Sequence, residues 1–237
     1  MLWYKAWLET RTRFLTCLSF LVAILVFFVH HAESILPAKS NGYELMFYAH
    51  FYLAALWVLS VVLLGMGGLL RERATGVSSF TVALPVSRER LVTVRLSVGV
   101  LQAVALAIVP WIAILLVSSS NGRPFPISQA CFYVLLLIGG GLVYFAVAIF
   151  VSSIVEGEYT APAVAYGVLI LVAIVCGSVS KLRTYLDLWR FITGDRYYNR
   201  TTHLLSGPFP WFGIACCGCI AAVLFLGSLR ATGNQDF

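Results

Sequence analysis

The chain has 237 residues, of which 60% are hydrophobic and 11% charged, with a formal net charge of +6 and a mean hydropathy of +0.91. Soluble domains carry about 25% charged residues, so the composition excludes a water-soluble globular protein and makes the bilayer the solvent for most of the chain. The positive balance is no nucleic-acid footprint: no basic patch is interleaved with aromatics, and in an apolar chain Lys and Arg mark the flanks of membrane spans.

Apolar runs long enough to cross a bilayer fall at 14–31, 46–70, 95–118, 129–154, 160–179 and 210–229, which predicts an all-α integral membrane protein with six transmembrane helices in a single transmembrane domain over 1–237. Ahead of the first run, Leu2, Trp3, Ala6 and Trp7 share one helical side, and Lys5, Glu9 and Thr12 the other. Two tryptophans on the apolar side suit a helix lying in the membrane interface. The expectation is an interfacial elbow helix over 1–12 feeding span one; the alternative is a plain extension of that span. The long aromatic start and the poor cleavage site in "VHHAES" argue against a removable signal peptide.

Lys/Arg bias sets the orientation. Through span four, one side holds Lys5, Arg11, Arg13, Arg71, Arg73, Arg88, Arg90 and Arg95, and the other only Lys39 and Arg123. This places the N-terminus and the 71–94 segment in the cytoplasm, and six spans return the C-terminus there. The segment between spans five and six, with Lys181, Arg183, Arg190, Arg196 and Arg200, then lies outside against the bias. Within this 180–209 loop, "KLRTYLDLWRFI" spaces Leu182, Leu186 and Trp189 as an amphipathic helix.

The sequence holds no phosphate-binding GxxxxGK[ST] loop, no HExxH and no GxSxG, and no span carries paired carboxylates at mid-depth. That argues against an internal ATPase and against proton- or ion-coupled transport. The six cysteines, including "CCGC" at 216–219, lie in or beside apolar runs and read as small hydrophobes, not as a metal or disulfide framework. "IGGGLVYF" at 138–145 reads as a site of close helix approach. His50, near the outer end of span two, is expected to reach water.

Against this background "LLRERATGVSSFTVALPVSRERL" at 69–91 stands out, with four arginines and two glutamates between two long apolar runs. Gly76 supplies a break, Thr75 or Ser78 a cap, and Val77, Phe80 and Leu84 one face of a short helix that Pro85 ends. Ser87 caps the next helix. The product is a short helix along the cytoplasmic surface showing an aromatic side chain, whose complete burial by a partner contributes roughly 1.5–3 kcal/mol. Glu72 is placed to pair with Arg11 or Arg13.

The order of span two, Arg-Glu-Arg, a glycine, a short helix, Leu-Pro-Val-Ser-Arg and span three resembles the membrane subunits of type-2 ATP-binding-cassette (ABC) exporters. Glu72, Gly76, Leu84, Pro85, Val86, Ser87 and Arg88 match that pattern, and "VSS" at 77–79 departs from it. The elbow, the span number, the outer helical element and the Asp-Phe ending of "ATGNQDF" agree. The resemblance implies a coupling helix in which Glu72, Gly76, Val77, Phe80, Leu84, Pro85 and Arg88 dock a separate ATPase subunit. ATP and Mg would be bound there, and this chain would hold no cofactor, no metal and no catalytic residue. It implies a second permease subunit, a homodimer being expected and a related chain the alternative, in the cell (inner or plasma) membrane. Spans two and five would line the path, which makes Tyr52, Trp57, Ser60, Tyr166 and Val172 candidates. The apolar, acid-poor interior suits amphipathic or lipid-like cargo. Two other readings stand beside this one. The first is a membrane-embedded enzyme acting on lipid-linked substrates through Asp187, Asp195, Arg196, Tyr197, Tyr198 and His203; the second is a scaffold that does not transport.

Overall fold

The computed structural model describes residues 2–31, 42–65, 88–122, 124–155, 160–178 and 187–233. Its helices are α1 (Leu2–His30), α2 (Gly42–Leu64), α3 (Arg88–Ser120), α4 (Ile127–Ile154), α5 (Thr160–Ser178), α6 (Leu188–Ile192) and α7 (Trp211–Gly233). Among the described residues there is no β-strand, only an isolated bridge between Tyr198 and Leu205. Helices α1, α2, α3, α4 and α7 are each long and apolar enough to cross a membrane, and α5 is apolar but shorter. The protein is an all-helical, multi-pass membrane protein.

A helix covers most of the described part of each predicted span, but the first is longer than expected. α1 runs unbroken through the junction where an elbow was expected at residue 12, so residues 2–12 are its opening turns. The cause is local. No glycine or proline interrupts Leu2–His30, Trp7 packs its ring on Phe14 at 5.6 Å across the expected break, and Thr10 and Thr16 bond back to the carbonyls of Ala6 and Thr12. At 1.5 Å per residue such a helix is roughly 43 Å long, well beyond the ~30 Å hydrocarbon layer, so one end projects past it.

α4 is the central element, in contact with α2, α3, α5, α6 and α7. In lipid the hydrophobic effect does not drive helices together; close packing and hydrogen bonds do. The run Gly139–Gly140–Gly141 shows how. A Cβ at Gly139 would stand 2.9 Å from Ile214 of α7, one at Gly140 2.6 Å from Ile192 of α6, and one at Gly141 would run into the Trp57 ring of α2. Three elements thus close on three adjacent glycines. The indole of Trp57, fully buried, donates through Nε1 to the Ala103 carbonyl of α3 at 3.0 Å, so its polar atom is satisfied where water is absent.

These contacts fix relative directions. α1 and α3 run parallel, with Glu9 beside Arg95 and Thr10 beside Gln102. α2 and α4 run parallel to each other, with His50 beside Tyr133, Trp57 beside Gly141, and Gly65 beside Ala148. One end of the bundle, the cap end, gathers the starts of α2, α4 and α7 under residues 187–206. The far end gathers the starts of α1 and α3. α5 begins near the far end, where Ala165 packs with Val62, Ala148 and Val151, and the chain next appears at the cap.

Candidate functional site

At the far end the charged segment joins the bundle. Arg88 is the first residue of α3; Glu72, Gly76, Val77, Phe80, Leu84 and Pro85 lie outside the described residues, as does the pairing of Glu72 with Arg11 or Arg13. The carboxylate that ties α1 here is Glu9. It accepts from Arg95 Nη2 at 2.8 Å and lies 3.7 Å from Lys5 Nζ. One residue on, Thr10 Oγ1 accepts from Gln102 Nε2 at 2.7 Å and donates to the Ala6 carbonyl. Ala6, Val94 and Val98 pack beneath these bonds with Leu2. Among the described residues the starts of α1 and α3 are therefore joined by an ion pair, a neutral bond and a small apolar contact. Sequence reasoning placed Lys5 and Glu9 on one helical side and gave neither a partner on α3. The missed signal was Gln102, an amide in an otherwise apolar run, which has to find a partner in lipid.

The proposed path residues separate into two groups. Tyr52 is 49% exposed and rests on Phe28, and Val172 is 51% exposed. Trp57 and Ser60 are buried inside the chain, Ser60 bonding back to the Leu56 carbonyl at 2.8 Å. Tyr166 joins α5 to α2, its hydroxyl donating to the Leu59 carbonyl at 2.7 Å.

The cap is a folded unit. Asp187 caps α6, its carboxylate accepting from the Arg190 N–H at 3.1 Å. Phe191 fills a notch between Gly140 and Gly213, and Ile192 lies against Gly140. Arg190 turns back to Asp195 at 2.7 Å. Gly194 then reverses the chain at φ +75°, a conformation costly for any residue with a side chain. The hairpin beyond is closed by Asn199 N–H to the Leu204 carbonyl at 3.0 Å and Ser206 N–H to the Tyr197 carbonyl at 2.8 Å. Gln129 at the start of α4 grips Leu205 with both ends of its amide, accepting from the N–H at 3.0 Å and donating to the carbonyl at 3.3 Å.

Tyr198 stacks on Phe47 at 4.0 Å and bonds to His203 Nδ1 at 2.8 Å. Burial first, then the Glu44 carboxylate, pushes the Tyr198 phenol up to about 12, so it keeps its proton near neutral pH. Burial raises the Tyr197 phenol as well, against the opposing charge of Arg196. The acids and the histidine that made an enzyme site thinkable are thus engaged in bonds that shape the cap. The amphipathic helix expected from Leu182 to Trp189 is seen as α6 alone, since 179–186 lie outside the described residues.

His50 requires a correction. Expected at water, it is fully buried. The cap covers it: Nε2 lies 2.8 Å from the Ile192 carbonyl, with the Tyr133 ring at 4.4 Å and the Trp111 ring at 5.8 Å. Sequence distance hid this, because the covering residue is 142 positions away.

No family model, no curated protein and no solved structure matches this chain. Among the described residues no group of three or more His, Cys, Asp or Glu is placed to hold a metal. Cys216 and Cys219 are exposed free thiols on α7, and Cys217 packs against the core. The arrangement supplies a multi-pass bundle with a charged segment at one end and a polar cap at the other.

Proposed function

We propose that the chain is the membrane-spanning permease subunit of an ATP-driven ABC exporter, docking a separate ATPase subunit through residues 69–91 and moving an amphipathic or lipid-like substrate out of the cytoplasm. The observation that carries this reading is the motif in that segment: Glu72, Gly76 and the run Leu84–Pro85–Val86–Ser87–Arg88, placed between two long apolar helices.

The geometry around the segment supports it. The 69–91 stretch leaves α2 and feeds α3 at the end of the bundle where α3 is tied to α1 through Arg95–Glu9 and Gln102–Thr10. A push on the segment would reach two helices together. α5, which begins near the far end and precedes the cap, crosses as the fifth span and brings the total to six, so both termini lie on one side. The Lys/Arg excess makes that side the cytoplasm. The cap then faces outward, and one of its cations, Arg190, is offset by Asp195. Tyr52 on α2 and Val172 on α5, exposed in the single chain, are the surfaces a second permease copy would meet. ATP and Mg belong to the partner ATPase.

The test is a mild-detergent pull-down of the tagged chain from its native host, wild type against Phe80→Asp, with ATP hydrolysis assayed in the eluate. An ATPase subunit retained by wild type and lost by the variant is the expected result. Wild type bringing down no ATP-hydrolysing protein, under conditions that preserve other membrane complexes, would overturn the reading.

A further inference from the structure

α6 has five residues, too few to satisfy its last carbonyls within the helix. The Thr193 N–H and hydroxyl bond to the Trp189 carbonyl, and the Gly194 N–H takes Phe191. The Ile192 carbonyl is met by His50, from a different membrane helix. A carbonyl can only accept, so His50 Nε2 carries the ring proton and Nδ1 carries a lone pair. Among the described residues Nδ1 has no hydrogen-bond partner, and neither has the indole Nε1 of Trp111.

The neighbourhood is selective for one state of the ring. The groups facing His50 are Trp111 of α3, the phenol of Tyr133 of α4 and the Ile192 carbonyl of α6. An indole only donates, and none of the three is a carboxylate. Of the other titratable groups at this end, Glu44 lies near Tyr198, and His30 and His31 are exposed at the end of α1. Among the described residues, a second proton on Nδ1 would leave a buried cation with a new N–H, no acceptor within bonding distance of it and no facing counter-charge, a costly state unless the ring moves.

The geometry points to His50 as a proton-sensitive latch: neutral, it holds α6 on the bundle; doubly protonated, it withdraws and lets residues 188–194 lift away. Gln129 grips Leu205 independently of His50, so the hairpin beyond Gly194 stays seated while α6 moves. The ligand is a proton, and the latch stands whether or not the chain belongs to an exporter.

Hydrogen exchange on the full chain in lipid nanodiscs tests this, at about pH 7.5 and about pH 5, the range over which a histidine changes charge, with intrinsic rates divided out. In wild type, protection of the Phe191, Thr193 and Gly194 amides should fall about tenfold at the lower pH, the scale of one buried hydrogen bond, while Leu205 and Ser206 stay protected. His50→Gln keeps a donor and does not titrate, so protection should persist at both values. His50→Phe keeps a ring without a donor, and protection should be low at both. His203→Gln should retain the wild-type response. Wild-type protection that does not change with pH overturns the latch. So does a pH response that survives His50→Gln or disappears with His203→Gln.

Discussion

The two ends of the bundle differ in whether a charge pair helps to hold one helix against another. At the far end α1 meets α3 through a Glu9–Arg95 ion pair whose side chains are 32% and 19% exposed. At the cap end α6 and the hairpin are held by neutral bonds, from His50 to Ile192 and from Gln129 to Leu205, and by Phe191 set between two glycines. A charge pair near water is screened and contributes little. Neutral bonds in a dry, packed site are each modest when made but leave orphaned polar groups when broken. With His50 neutral the cap end is therefore the more firmly held, and at the far end the ion pair adds little to the neutral Gln102–Thr10 bond and the apolar contact beneath it.

The strongest way to break that contrast is to fill the notch. Gly140→Val puts side-chain atoms where Phe191 and Ile192 already stand within 2.7 Å of a Cβ, and overpacking of this kind costs about 3 kcal/mol. Thermal unfolding in detergent should show a large fall in Tm, with proteolysis appearing in 187–206 first. An unchanged Tm would mean that α6 is not wedged there. Next is Gln129→Leu, which strips Leu205 of both partners and should cost about 2 kcal/mol. Exchange at the Leu205 amide should rise while that at Thr193 does not, because His50 still holds α6.

Tyr198 gives a smaller, pH-dependent effect. Its phenol is raised from the ordinary 10.0 to about 12, chiefly by burial. The unfolded chain loses this proton first, so the folded state's advantage is complete below pH 10 and is lost as pH rises through 12. Tyr198→Phe removes the bond to His203, at about 1 kcal/mol near neutral pH, and with it this alkaline loss. Comparing the Tm of the two proteins below and above pH 10 checks both parts; parallel curves would place the alkaline transition on another group.

The helices were legible because apolar runs longer than a bilayer is thick leave little choice of structure. The join between the first turns and span one was not legible. Trp3, Ala6 and Trp7 present the same apolar side whether the helix bends into the interface or continues, and the deciding contacts, Trp7 on Phe14 and Glu9 with Arg95, lie across a turn boundary and on another helix. The cap was hidden for a related reason. "GDRYYNRTTH" offers an acid, two arginines and a histidine in loop-like order, yet its shape depends on Gln129, Gly140 and His50, residues of other helices. His50 shows the general limit. Its position in a span was readable, but its exposure depended on a cover 142 residues away. Gln102 and Gln129 were the available clues, since an amide inside an apolar run must find a partner.

The smallest expected effect is the sharpest test of the contrast. A double-mutant cycle on Glu9→Gln and Arg95→Gln, read by thermal unfolding, should give a coupling of about 0.2–1 kcal/mol at low salt, shrinking towards zero near 1 M, where the screening length falls to about 3 Å. Gln102→Leu, which removes the neutral bond to Thr10, should cost the same at both salt concentrations. A salt-insensitive coupling well above this range would show that Glu9–Arg95 behaves as a buried pair. The far end would then be as rigid as the cap, and any motion passed from residues 69–91 into the bundle would carry α1 and α3 as one body.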